Sequence, residues 1–171
     1  RVSRFQEKTK AKVLTFGFGE GADIRADHIV VEPEARLAKG LSFKMDYHGK
    51  SLPVRLPKVI AKHQVSAALA AAAVGIALRV NPVQIVDALA AFGPLPGRMR
   101  LVPGTKGSIL LDDTYNASPA STVAALAALG ELQASRKIAI LGDMLEIGED
   151  SVKKHRELAE PVVLSGAKQV V

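Results

Sequence analysis

The sequence predicts an α/β protein in two parts, and three observations lead there. Residues 23–56 alternate apolar and polar side chains at period two, the pattern of a small antiparallel sheet with one wet face. Gly93-Pro94-Leu95-Pro96-Gly97 then sets prolines among glycines, which stops a helix and marks a domain join. Beyond it, strand-like and helix-like segments alternate, and Ile138-Ala139-Ile140-Leu141 is apolar without interruption. Such a run suits a strand of a parallel sheet covered on both faces.

The elements follow in order. Val13-Leu14-Thr15-Phe16 is a short β-prone run closed by the glycines of Gly17-Phe18-Gly19-Glu20-Gly21. Residues 23–32 and Leu41–Tyr47 read as half-buried strands. His48-Gly49-Lys50 supplies a turn, residues 51–56 return, and Pro57 ends the sheet. From 60 to 79 the composition shifts to Ala and Leu at helical spacing. Asn81-Pro82 caps a second helix reaching about Phe92, with the proline in its first turn, where a missing N–H costs nothing. After the linker, residues 99–102 and 108–112 read as strands joined by a Pro-Gly turn, 118–129 as an Ala-rich helix and 152–163 as another. Gln169-Val170-Val171 opens a strand that stops at once, and the chain starts with Arg1 and no methionine, so the expectation is a segment of a longer protein.

Composition narrows the function. Hydrophobic residues make up 48% of the 171, enough to fill a core, but aromatics are only 4%. That disfavours readers that stack bases on aromatic platforms. The net charge of +6 comes from basic residues gathered at Arg1, Arg4, Lys8, Lys10 and Lys12 and then scattered singly, without a long run or interleaved aromatics. A solvated surface or a pocket for phosphorylated ligands explains this better than a nucleic-acid footprint, so no nucleic acid is expected as partner. The longest apolar stretch, 67–78, is shorter than the ~20 residues that span a bilayer and is interrupted by Gly75, so no membrane span is expected. Without cysteine there is no disulfide, thiolate zinc site or thiol nucleophile, which permits a reducing compartment; a cytoplasmic location is expected.

Two glycine-rich patterns fail as phosphate sites. Gly17-Phe18-Gly19-Glu20-Gly21-Ala22 is followed by a strand, not by the helix whose N-terminus would receive a pyrophosphate. Gly104-Thr105-Lys106-Gly107-Ser108 has phosphate-loop ingredients in the wrong order and reads as a hairpin turn. The informative stretch is residues 110–119, where Asp112, Asp113, Tyr115 and Asn116 follow a strand and precede a helix. Ligands bind at the carboxyl ends of strands in open α/β sheets. Asp and Asn also form turns and helix caps, and spacing alone does not choose between the two roles. His28, His48 and His155 stand alone in the sequence, as surface histidines do, and no metal role is expected for them.

Four ordered motifs carry a resemblance: Lys62-His63-Gln64 through Ala73, Pro96-Gly97-Arg98-Met99, Asp112-Asp113-Thr114-Tyr115-Asn116-Ala117-Ser118-Pro119, and Leu141-Gly142-Asp143-Met144-Leu145-Glu146-Ile147-Gly148. In that order and spacing they resemble the Mur ligase family, and 8–17 extends the likeness over nearly the whole chain. The branch most similar joins D-alanyl-D-alanine to UDP-N-acetylmuramoyl-tripeptide.

The resemblance implies that 1–95 are the latter part of a central ATPase domain, including its side sheet, and that 96–171 are the first part of a Rossmann-like C-terminal domain. It implies ATP and Mg²⁺ as cofactors, an acyl phosphate intermediate and release of ADP. Arg98 would approach the ATP phosphates as the catalytic residue, and Asp113 would accept hydrogen bonds from the ribose. Tyr115 and Asn116 would face the nucleotide, His63 and Gln64 would border the adenine, and Asp143 and Glu146 would lie near the incoming dipeptide. The sequence departs from the family pattern at Gln64 and Ala67, each in place of an asparagine, and at Ser118, which keeps a hydroxyl. Ala67 offers no hydrogen-bonding group. The family's Gly-Lys-Thr phosphate loop has no match in these residues, so this chain alone is expected not to turn over ATP. Cut strand edges and uncovered apolar faces would favour self-association. A non-catalytic module that binds a nucleotide or a peptidoglycan precursor is the alternative.

Overall fold

The computed structural model describes residues 7–32 and 40–171; Arg1 and Arg4 of the basic cluster lie outside them. The first half is a four-stranded sheet, β1 (Phe16–Gly17), β2 (Ile24–Val31), β3 (Leu41–Tyr47) and β4 (Lys50–Leu56), in that spatial order. The pairs β2–β3 and β3–β4 are antiparallel as the alternation predicts, whereas the short β1 lies parallel to β2. His48 and Gly49 both have positive φ, the geometry of a two-residue hairpin that follows the twist of its strands. A register shift between Asp27 and Val30 falls beside His28, another residue at positive φ.

The inward residues of these strands, Ile24, Ala26, Leu41, Phe43, Met45, Val54 and Leu56, are buried against two helices. Helix α1 (Val65–Ala77) packs on β1 and β2, and α2 (Pro82–Ala91) on β4. Val65, Ala68, Leu69 and Ala72 recur every three to four residues on one face of α1 and complete this core with Ile85 and Leu89 of α2. The helical pattern expected from 60 begins instead with a 3-10 turn over Lys62–Gln64. Asn81 caps α2 as expected, its side-chain oxygen accepting from the Val83 N–H at 2.9 Å.

After the linker, β5 (Arg100–Pro103) and β6 (Ile109–Asp112) form an antiparallel pair of their own, followed by α3 (Pro119–Glu131). Ser118 caps α3 through a reciprocal box with Ser121, so the hydroxyl at that position holds the helix start. Strand β7 (Ile138–Ala139) runs parallel to β8 (Gln169–Val170), and the amide of Leu141 extends the ladder to the Val171 carbonyl. The single helix expected over 152–163 is two, α4 (Ser151–Arg156) and α5 (Ala159–Leu164). Pro161 is the physical reason: it has no N–H to return to the turn before it, and its ring crowds that turn. The parallel strand expected to be covered on both faces is open, with Ile140 75% exposed. No described helix is long and apolar enough to cross a membrane.

Candidate functional site

Predicted site residues from both sides of the linker, Gln64 before it and Arg98, Asp113 and Tyr115 after it, meet at one turn. Gly97 is buried at φ +72°, and a Cβ there would lie 3.0 Å from the Tyr115 backbone nitrogen. Glycine is required because the linker turn and the loop after β6 approach that closely. Its N–H donates to Asp112 Oδ2 at 3.0 Å, and its carbonyl accepts from the Tyr115 N–H at 3.1 Å. Two residues on, the Met99 N–H donates to Asp113 Oδ1 at 3.1 Å, and Met99, also at positive φ, is buried. Adjacent carboxylates therefore strap both flanks of Arg98, and Arg98 itself is left exposed.

Its guanidinium carbon lies 3.9 Å from the centroid of the Tyr115 ring, a cation–π contact that holds the fork near the loop in water. From the first half, Gln64 reaches the Arg98 carbonyl, its Nε2 donating at 3.3 Å. The other end of that amide, Oε1, is buried without a hydrogen-bond partner. An unpaired buried acceptor is costly, so this one suits a ligand N–H such as an amino group on a base. His63 is exposed on the same 3-10 turn, and Asn116 turns its side-chain oxygen to the Ala117 N–H at 2.9 Å. Ala67 is exposed on α1.

Asp112 is held below the ordinary aspartate range. The Thr114 hydroxyl donates to Oδ1 at 2.7 Å and is the largest cause, and the Gly97 N–H comes next. Ionised at neutral pH, it is committed to the turn. The residue pattern left Asp112 between ligand binding at a strand end and a turn, and the structure makes it one of the two straps. Nothing in the residue types distinguishes it from Asp113, since only the backbone around Gly97 does.

Two further features were not foreseen. Lys62 on the 3-10 turn pairs with Glu131 at the end of α3, Nζ to Oε1 2.6 Å. Beneath them Ala61, Met99 and Ala128 pack together, so the join is a packed seam. His155, expected at the surface, is instead half-buried in α4, with hydrogen bonds at both ring nitrogens. Its spacing of four from Ser151 places the two on one helical face, which was the available signal. Asp143 and Glu146 stand on the exposed loop between β7 and α4, and among the described residues no hydrogen bond or ion pair ties that loop to the Arg98 turn.

The cationic fork, the Asp113 carboxylate and the unpaired Gln64 acceptor fit a nucleotide. Mg²⁺ is different: among the described residues no three His, Asp or Glu side chains gather where they could hold a metal ion.

The turn at Gly97 is also where a known family begins. Residues 97–171 match the Mur ligase, glutamate ligase domain. The UDP-N-acetylmuramoyl-tripeptide--D-alanyl-D-alanine ligase of Mycobacterium tuberculosis is 31% identical over 176 residues, covering 99% of this chain and 34% of that protein. MurF from Acinetobacter baumannii superposes with a TM-score of 0.81 at 30% identity, over 98% of this chain and 35% of that one. The MurF ligase from Thermotoga maritima, solved in complex with ADP, gives 0.74 at 25% identity over 92% and 38%. The chain belongs to the Mur ligase family. Within it, these relatives are D-alanyl-D-alanine-adding ligases, and the chain spans about a third of their length.

Proposed function

We propose that these residues form the part around the domain join of an ATP-dependent ligase that adds D-alanyl-D-alanine to UDP-N-acetylmuramoyl-tripeptide in peptidoglycan precursor synthesis. The observation that carries this is the double strap around Arg98, Asp112 on Gly97 and Asp113 on Met99. In this reading 1–95 belong to the ATPase domain and 96–171 to the domain that receives the dipeptide.

A carboxylate is a poor electrophile, so the reaction activates it first. An oxygen of the tripeptide carboxylate attacks the γ-phosphorus, the bond to the β-phosphate bridging oxygen breaks, and ADP leaves. The amine of the dipeptide then adds to the acyl carbon, phosphate departs, and one proton is lost as the amide forms. Protein catalysis of phosphoryl transfer is chiefly positioning and charge stabilisation. Arg98 offers an always-charged planar fork to the phosphates. Asp113 keeps acceptor capacity beyond the Met99 bond for the ribose hydroxyls. Gln64 Oε1 accepts from the adenine amino group with His63 alongside, Tyr115 and Asn116 border the nucleotide, and Asp143 and Glu146 attract the dipeptide's ammonium. Mg²⁺ would supply neutralisation of phosphate charge, and the described residues bring together no cluster of acids or histidines to hold it. The reaction is cytoplasmic, where ATP and nucleotide-linked precursors are made. Exposed Ile138, Ile140, Val163 and Leu164 support self-association of this segment when it stands alone.

The test is product formation. The complete gene product, given ATP, Mg²⁺, the UDP-linked tripeptide and D-alanyl-D-alanine, is expected to form ADP, phosphate and the UDP-linked pentapeptide together. Nucleotide binding without any amide product would favour a binding module instead. Residues 1–171 alone are expected to release no phosphate.

A further inference from the structure

The loop from Leu141 to Gly148 is fixed at three places. Its start is tied to β8, the Leu141 N–H donating to the Val171 carbonyl at 2.9 Å. Its end enters the 3-10 turn Gly148–Asp150 that leads into α4. Its middle is held by His155. The Ser151 carbonyl lies 2.8 Å from Nδ1, and a carbonyl only accepts, so the proton is on Nδ1. Nε2 is then an acceptor, and the Met144 N–H donates to it at 3.0 Å. The bond from Met144 requires the proton to sit on Nδ1, which is where the Ser151 carbonyl holds it.

Met144 is 2% exposed, so its N–H has no water to fall back on and depends on that ring nitrogen. On either side of the buried anchor the chain turns outward. The Asp143 side chain is 90% exposed, its Oδ1 3.9 Å from Nε2 and beyond hydrogen-bond reach, and Glu146 sits exposed at φ +60°. A non-glycine residue keeps a left-handed backbone only where its surroundings hold it. The anchor at Met144 lies between the two acids.

We propose that His155 is a positioning residue: through its bond to the Met144 N–H it sets the loop that presents Asp143 and Glu146 to the incoming amine. This rests on the ligase reading for the role of the two acids, but the lock itself stands apart from it. His155 touches no substrate.

Three substitutions of the complete gene product separate the two ring nitrogens. His155→Gln places an acceptor near the Nε2 position, His155→Asn places an amide near Nδ1 but leaves Met144 unpaired, and His155→Leu keeps neither bond. Asn and Leu are expected to raise the KM for D-alanyl-D-alanine by roughly tenfold, the scale of one lost hydrogen bond to a buried group, with the KM for ATP unchanged. Gln is expected to stay near the wild type. Amide exchange at Met144 reads the lock directly: protected in the wild type and Gln, fast in Asn and Leu, with amides of α1 protected in all four. Equal behaviour of Gln and Asn, or a parallel rise in both KM values, overturns the proposal. A wild type that makes no amide removes the ligase reading, and Met144 exchange then still decides whether His155 locks the loop.

Discussion

The two halves of the chain are held together by different physics. From Ile24 to Leu89 the sheet and two helices close over one dry cluster whose members are nearly inaccessible to water. After the linker, buried apolar residues thin out to Met99, Leu126, Ala128, Ala139, Met144 and Leu158, while Ile138, Ile140, Val163 and Leu164 face outward. What orders the second half near Arg98 is polar: carboxylates on amides, a hydroxyl on a carboxylate, a ring under a guanidinium. A packed core resists displacement in every direction, whereas a strapped turn is fixed only along its hydrogen bonds. Arg98, Asp113 and Tyr115 sit on the second kind of structure, backed by the first through Gln64 and Lys62.

The largest effect that sharpens this contrast is a matched pair of truncations. Leu69→Ala removes a side chain from the closed core and is expected to cost about 2–5 kcal/mol in urea unfolding. Ile140→Ala, on an open face, is expected to change stability by no more than about 0.5 kcal/mol. Equal losses would mean that the second half is packed as tightly as the first.

A smaller effect concerns acid. Asp112 has a folded-state pKa below its unfolded value, so its contribution is fully present above the ordinary aspartate range and is lost as pH falls through the lower, folded value. Melting temperature followed from neutral pH downward should therefore fall more steeply in the wild type than in Asp112→Asn. The two curves should approach each other once the carboxylate is protonated. Parallel curves throughout would show that the strap on Gly97 does not need the charge.

Much of the fold was legible in the sequence because periodicity survives into packing. The alternation of Leu41–Tyr47 became the buried Leu41, Phe43 and Met45 of β3, and Asn81-Pro82 became a capped helix start. Pro161 stands inside the run from 152 to 163, where one helix was expected and two stand. The site was legible in composition and not in contact. The motif at 110–119 pointed to Asp113 but not to Met99 as its partner, because that bond depends on two successive turns brought together by Gly97. His155 was hidden for the same reason, since both of its partners are backbone atoms, which every residue carries.

The most direct test of the account is the kcat of Arg98→Ala in the complete gene product. Its guanidinium is exposed beside Tyr115 and supports no buried contact, so the fold should survive. If the strapped turn presents Arg98 to the phosphates as they react, kcat should fall by about 10²–10³-fold, the scale of losing one preorganised charge at a transferring group. The KM for ATP should move far less. An unchanged kcat would contradict the account and leave the strapped turn a structural feature of the domain join.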